Sequence, residues 1–322
     1  MIIACNIRDT FIQKEINATN QLFLKESLWI DLINPSAEEK ALVESNLGLT
    51  IPTREEMREI EISSRLYIEN NIIFMTATMI AQSSALSPNH DAVTFIITPK
   101  HLITIRYIEP QAFILFSARI HKFTHFESPA SLFTELLDVT IDRLADILEV
   151  IHHELENFSK NLFQSRNSSE SANLNYQQLL QQLGVNGELN SKIVESLVSF
   201  NRLMHFFNQS AINIVNKDHV RLNSLSQDIT ALNDHAAFLS NKINFLLEAT
   251  LGMVQIEQNT IIKIFSVAAV IFLPPTLIAS IYGMNFHFMP ELSWKYGFVL
   301  SIGMMLLSSW LPYKYFKYRK WL

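Results

Sequence analysis

Two apolar stretches near the carboxyl end of this chain stand almost back to back, and that pairing limits its fold more than any other feature. The first runs from Ile264 to Tyr282 without an Asp, Glu, Lys or Arg. A helix that crosses a bilayer core needs ~20 mostly apolar residues, so the length suffices. The second runs from about Tyr296 to Leu311, extended by Pro312 and Tyr313. It is shorter, but Trp294, Trp310 and its Tyr residues suit membrane interfaces. The connection, Tyr282-Gly283-Met284-Asn285-Phe286-His287-Phe288-Met289-Pro290-Glu291-Leu292, is so short that the two stretches cross as a hairpin.

Basic residues orient the hairpin. Lys263 precedes the first stretch, and Lys314, Lys317, Arg319 and Lys320 follow the second. From Phe286 to Ser293 there is no Lys or Arg and one acid, Glu291. By the positive-inside rule the connection lies outside and both termini are cytoplasmic. Met1-Ile2-Ile3-Ala4-Cys5 leads into polar residues rather than a longer apolar core, so no signal peptide is expected. The lone Cys5 excludes an internal disulfide and agrees with a reducing compartment.

Ahead of the spans lies enough chain for a domain with its own core. The whole sequence has a net charge of −6. Six Lys/Arg and one acid lie from Lys263 onward, which leaves 19 basic and 30 acidic residues before it, a net −11. Such a field repels nucleic acid, so none is expected as a partner, and it attracts cations. Ordinary solubility of a cytoplasmic domain accounts for the charge equally well. Strand-like runs occur at Ile2–Ile7, Leu28–Ile33, Arg65–Glu69, Ile72–Ile80, Ala92–Thr98 and Leu102–Tyr107. Asn70-Asn71 and Thr98-Pro99-Lys100-His101 read as hairpin turns. Ser36–Gly48 and Thr53–Ile60 read as helices, with Ser36/Glu39 and Thr53/Glu56 at capping-box spacing. Beyond Glu109 the pattern turns helical, with apolar residues three and four apart from Ser131 to Phe163. A polar break at 165–171 follows, then a helix from about Gly187 to Asn216. The last helix starts near Lys217 and meets no strong break before Pro274.

The expected organisation is therefore an α/β cytoplasmic domain at 1–128, a cytoplasmic helical region at 129–216, and a stalk helix at 217–282 that becomes the first transmembrane helix at 264–282. An external connection at 283–294, a second transmembrane helix at 295–313 and a basic cytoplasmic tail at 314–322 complete it.

Along the last helix, Glu248, Gln255, Asn259, Ile262, Ser266, Ala269, Leu273, Thr276, Ser280 and Gly283 fall on heptad steps. Small, polar and apolar residues share this stripe, with no charge beyond Glu248. Polar residues inside a bilayer face a bundle interior or water. One hairpin cannot enclose a path, whereas several copies around an axis can. The other reading is close helix packing, which small residues also permit. Pro274-Pro275 removes helical hydrogen bonds and should bend the helix.

Gly283-Met284-Asn285, followed by Met289-Pro290-Glu291-Leu292, resembles the signature of the CorA family of magnesium channels and transporters. Glu257-Gln258-Asn259, Lys263-Ile264-Phe265-Ser266, Phe272-Leu273-Pro274-Pro275-Thr276 and the final Lys320-Trp321-Leu322 strengthen the likeness. The resemblance implies a funnel-shaped homopentamer in the cell inner membrane. It implies passive Mg2+ influx, with Co2+ and Ni2+ also carried, and neither an enzymatic reaction nor a catalytic cofactor. Asn285 would form an outer hydrated-ion site with Gly283 and Met284, while Asn259, Thr276 and Leu273 line the path. Cytoplasmic Mg2+ held between subunits by acidic residues would close it. Asp218, Asp228, Asp234 and Glu248, the last at the cytoplasmic mouth, are the acids available on the stalk. Glu291 would gather cations outside. His287 stands where the family often carries Glu, which lowers negative charge at the entrance.

Mg2+ sheds its waters reluctantly. A ring of neutral Asn285 amides accepts hydrogen bonds from the hydration shell without the grip of carboxylates, and conduction needs both entry and exit. Gly283 permits a close turn or a left-handed backbone, and Met284 packs behind the turn. The nearest rival is a zinc transporter of the same superfamily. His152-His153-Glu154 raises a membrane-anchored metalloenzyme, but lacks the His-Glu-x-x-His spacing that sets two ligands on one face. A non-conducting membrane scaffold is the third reading.

Overall fold

The computed structural model of the chain describes residues 1–7, 12–17, 19–82, 88–120, 126, 128–164, 175–210, 216–284, 289 and 294–319, with the side chains of 216–219 left out. The chain divides into two compact units, Met1–Leu247 and Glu248–Leu322.

The first unit is built on a seven-stranded sheet: β1 (Ile2–Asn6), β2 (Ile12–Glu15), β3 (Trp29–Ile33), β4 (Leu66–Glu69), β5 (Ile72–Ala81), β6 (Asn89–Ile97) and β7 (Leu102–Arg106). Their order is β2-β1-β3-β7-β6-β5-β4. The β3–β7 pair is parallel and the others antiparallel. The expected turns form. Asn70 and Asn71 take φ of 49° and 61° in the two-residue link from β4 to β5, a left-handed pair suited to the twist of a hairpin. The Thr98 hydroxyl accepts from the backbone N–H of His101 at 2.8 Å and closes the β6–β7 turn.

Short helices follow the sequence caps. In α1 (Ala37–Leu47) the Ser36 hydroxyl accepts from the Glu39 N–H, the Glu39 carboxylate accepts from the Ser36 N–H, and Gly48 ends the helix at φ 70°. The same box opens α2 (Arg54–Met57), which stops three residues short of the expected end at Ile60; α3 (Ile62–Arg65) then restarts the helix. Strand β2 escapes sequence reading because all four of its residues are exposed, leaving no buried face to impose alternation.

Each face of the sheet is covered. One carries an apolar cluster that includes Ile30, Leu32, Val43, Met57, Phe74 and Ile103. Over the other lie α4 (Gln111–Ile120), α5 (Pro129–Gln164) and α6 (Tyr176–Ser210). Phe95 packs on Phe113 and Phe133, Phe133 on Phe207, and Trp29 on Phe116. Within this layer Arg106 donates to Asp31 from Nε and Nη2 at 3.1 and 2.9 Å. The Thr104 hydroxyl donates to the same carboxylate at 2.6 Å. A buried charge pair survives only with its hydrogen bonds filled, and here neighbouring strands fill them.

Helix α6 begins eleven residues before the expected start at Gly187. Gly184 and Gly187 read as breakers, each costing about 1 kcal/mol in a helix. Gly187 instead faces Ile243, whose methyl would stand 3.7 Å from an added Cβ. The polar break at 165–171 lies outside the described residues.

Asp91, opening the buried part of β6, ties α2 to the sheet. Burial pushes its carboxyl up, but hydrogen bonds from Arg58 and Arg54 outweigh this and hold it at about 2. A depressed folded value means the contribution is present above the unfolded value of ~3.9 and lost as pH falls through the folded one. Asp91→Asn should therefore lower the melting temperature at neutral pH and flatten its fall between about pH 4 and 2. An unchanged acid limb in thermal unfolding would contradict this.

Candidate ion path along the seam of the long helix

Helix α7 (Asn216–Tyr282) is continuous over 67 residues, through Pro274 and Pro275. Those prolines remove the N–H groups that would pair with the carbonyls of Val270 and Ile271. Thr276 donates its hydroxyl to the Phe272 carbonyl at 2.7 Å, and Ser266 to Ile262 at 2.8 Å. The Thr276 hydrogen is thus satisfied within the helix, and its oxygen keeps acceptor capacity for a passing water.

In the first unit, α7 buries Leu222, Leu225, Ile229, Ala236, Leu239, Ile243 and Leu246, spaced by threes, fours and one seven. This is a heptad stripe facing α5 and α6. Asn190 of α6 donates to the Ala236 carbonyl at 2.9 Å and to Ser240 at 2.7 Å. Arg221 pairs with Glu135 and Asp138 of α5. In the second unit the same phase returns: Val267 is buried, and Ile271, Pro274 and Ile278 are half-buried.

The seam predicted from sequence occupies another phase, about 150° around the axis at 3.6 residues per turn. Glu248, Gln255, Asn259, Ile262, Ser266, Ala269, Leu273, Thr276, Ser280 and Gly283 are all exposed in the single chain. Ala269, Leu273, Thr276 and Ser280 line one open groove of about 520 Å³. Asn259 and Glu248 lie further down the same stripe, outside that groove. Glu248, Asp228 and Asp234 are exposed, and the Asp218 side chain lies outside the described residues. Among the described residues no group of three His, Cys, Asp or Glu could hold a metal ion.

At the end of the helix the Gly283 N–H donates to the Ala279 carbonyl at 2.9 Å. An added Cβ would sit 3.1 Å from that oxygen. That contact is tight, and Gly283 does not adopt the left-handed backbone found at Gly48. Met284 is 46% exposed in the single chain. Asn285, His287 and Glu291 lie outside the described residues.

Helix α8 (Gly297–Tyr318) passes the expected end at Tyr313 and takes in Lys314 and Lys317, cations that favour a helix carboxyl end. Around it Phe298, Val299, Leu306, Leu307 and Leu311 stay exposed.

The triplet His152-His153-Glu154 is dispersed. His152 approaches Glu156 at 3.4 Å and stacks on His235, His153 approaches Glu149 at 3.6 Å, and Glu154 accepts from Asn186 at 2.8 Å. Burial, then the neighbouring His152 and Lys242, push the His235 pKa down. The stacking on His235 joins α5 to α7 and the Asn186 hydrogen bond joins it to α6, while the two His–Glu approaches lie within α5.

An α/β domain is followed by long helices, one with an uncharged apolar stretch left almost wholly exposed, which suits a membrane protein. Among the described residues α7 is the helix long and apolar enough to cross a bilayer. A sequence model of the family described as CorA-like Mg2+ transporter protein matches residues 25–319. The magnesium transport protein CorA of Pectobacterium atrosepticum is 35% identical over 300 residues, 93% of each chain. The complete structure of the CorA magnesium transporter from Methanocaldococcus jannaschii superposes with a TM-score of 0.75 at 18% identity, covering 100% of this chain and 99% of that one. The ZntB cytoplasmic domain from Vibrio parahaemolyticus gives 0.58 at 12% identity, covering 79% of this chain and 98% of that one. The chain belongs to the CorA-like Mg2+ transporter family, a family of ion transporters rather than enzymes.

Arg221 is the tether at the start of α7. Glu135 is buried whereas Arg221 is 41% exposed, so solvent screens part of the pair. Arg221→Met should cost about 1–3 kcal/mol by leaving a buried acceptor unpaired. Hydrogen exchange should quicken over residues 220–230 and stay slow around Leu239 and Leu246. Uniform quickening along α7, or none, would contradict the tether.

Proposed function

We propose that the chain mediates passive, membrane-potential-driven influx of Mg2+, with Co2+ and Ni2+ as further cargo, as a homo-oligomer of five copies in the cell inner membrane. The observation that carries this is the exposed seam of α7: a stripe of small, neutral polar and apolar residues from Asn259 to Gly283, on a stretch without charge after Lys263. Support comes from family membership and from the magnesium transport named for the 35% identical relative. In this reading α7 from Ile264 and α8 form a hairpin with both termini cytoplasmic. Residues 264–282 then span about 28 Å, close to the ~30 Å hydrocarbon core.

Each copy contributes one seam, and the copies together enclose the path. Leu273 narrows it, and Thr276 and Asn259 offer oxygens to hydration waters. Neutral Asn285 amides, with Gly283 and Met284 shaping their turn, receive a hydrated ion at the outside. Inward movement of a divalent cation through 100 mV is favourable by about 4.6 kcal/mol, twice the single-charge value. Mg2+ on the cytoplasmic side closes the path through acids between copies, with Glu248 at the mouth; Glu291 gathers cations outside. Zinc transport is the second reading, and the likeness to ZntB bears on fold alone at 12% identity.

Proteoliposomes containing the purified chain should take up Mg2+ when the interior is negative, without ATP or a proton gradient. Zn2+ influx that requires a proton gradient, without Mg2+ flux, would overturn the assignment. Asn285→Ala should lower Mg2+ uptake at least about tenfold, the scale of one lost hydrogen-bonding contact to a charged ligand, while oligomer size is unchanged. Full uptake in that variant would favour a scaffold.

A further inference from the structure

A second groove, of about 630 Å³, lies within the carboxyl-terminal unit, between α7 and α8 and away from the seam. Ile271 forms one wall; Gly303, Leu306, Leu307, Trp310 and Tyr313 form the other. Its lining is apolar apart from the two aromatic rims and a serine. Three observations say what would occupy it.

The first is length. Gly303 to Tyr313 is ten residues, or about 15 Å along a helix, which matches one leaflet of a ~30 Å hydrocarbon core. The second is charge. Both groove-lining aromatics carry a lysine one turn further on: Lys314 Nζ lies 4.9 Å from the Trp310 ring centre, and Lys317 Nζ 6.0 Å from that of Tyr313. Arg319 sits in the same way, 5.9 Å from Tyr315. Cations over aromatic faces are held in place while their outer side stays available. No acidic residue occurs in α8 to neutralise them. The third is room. A Cβ added at Gly303 would meet nothing within 4 Å, so the inner end of the groove is open.

We propose that this groove binds one anionic phospholipid of the cytoplasmic leaflet. An acyl chain lies along Gly303, Leu306 and Trp310, and the phosphate sits against Lys314 and Lys317, with Arg319 beside them. Anionic headgroups attract each nearby Lys or Arg by about 1 kcal/mol, so both the apolar slot and its basic end contribute to selection. The site is separate from the ion path, which runs along the other side of α7. It rests on the reading of α7 and α8 as a membrane hairpin, but not on which ion is carried.

The test is native mass spectrometry of the full chain, released from detergent containing equal phosphatidylglycerol and phosphatidylcholine. Phosphatidylglycerol should be retained in preference, and Lys314→Gln with Lys317→Gln should reduce that preference about tenfold or more. Gly303→Trp, which fills open space, should lower retention of both lipids while the oligomer persists. Equal retention of the two lipids by the unaltered chain would overturn the proposal. So would a Gly303→Trp chain that keeps its lipid, or one that loses its oligomer instead, since the groove would then be closed by a second copy. Alkaline carbonate extraction separates the levels: a chain released from membranes overturns the hairpin itself, whereas one that stays and shows no lipid preference overturns only the lipid site.

Discussion

Helix α7 carries two heptad stripes with opposite requirements, and the rest of the structure follows from how each is met. One stripe, from Leu222 to Leu246, is buried against α5 and α6. The other, from Glu248 to Gly283, is left bare by its own chain. A single helix can present both because positions one or two apart in a heptad fall on different faces, whereas those three or four apart share one. The buried stripe fixes the rotation of α7 about its axis within the first unit. The bare stripe contains side chains that suit neither a dry core nor lipid: Asn259, Ser266, Thr276 and Ser280. In a bilayer such residues turn toward other helices or water, and in the proposed function copies of the chain supply those surroundings.

That division gives the sheet domain its role. Its buried Asp31–Arg106 pair and the aromatic layer around Phe95 and Phe133 hold α4, α5 and α6 on one face. These helices in turn hold the start of α7 through Asn190 and Glu135. Acids on exposed positions of α7, such as Asp228, Asp234 and Glu248, are available to cations without cost to that packing.

Much of this was legible in the sequence wherever a local rule was strong. Capping boxes at Ser36 and Thr53, the Asn70-Asn71 turn and the continuous apolar, β-branched runs of the buried strands all reappear. The failures have physical causes. Strand β2 buries none of its residues, so periodicity is silent. The start of α6 was hidden because Gly184 and Gly187 read as breakers, and only the packing against Ile243 shows why one of them is tolerated. Of the two backbone readings for Gly283, a close turn or a left-handed conformation, the structure shows no left-handed backbone and a tight approach to the Ala279 carbonyl. The buried stripe of α7 was present in the spacing of Leu222, Leu225 and Ile229. Exposed apolar residues off the stripe, Phe238, Phe245 and Leu247, blur that spacing in the sequence. Asn285 remains a reading of sequence and family, since it lies outside the described residues.

The central claim is that the seam of α7 faces its counterparts across an oligomer. Thiol cross-linking tests it most directly. Burial, reinforced by the Asp31 charge, pushes the Cys5 thiol up to about 12, so the native cysteine stays protonated and inert. Single cysteines at Ser266 or Ser280 on the seam, and at Val270 off the seam, can then be treated in membranes with a short bifunctional thiol reagent. The account predicts that the two seam positions join neighbouring chains and that Val270→Cys leaves monomers on a denaturing gel. Cross-linking at Val270→Cys with none at Ser266→Cys or Ser280→Cys would contradict it.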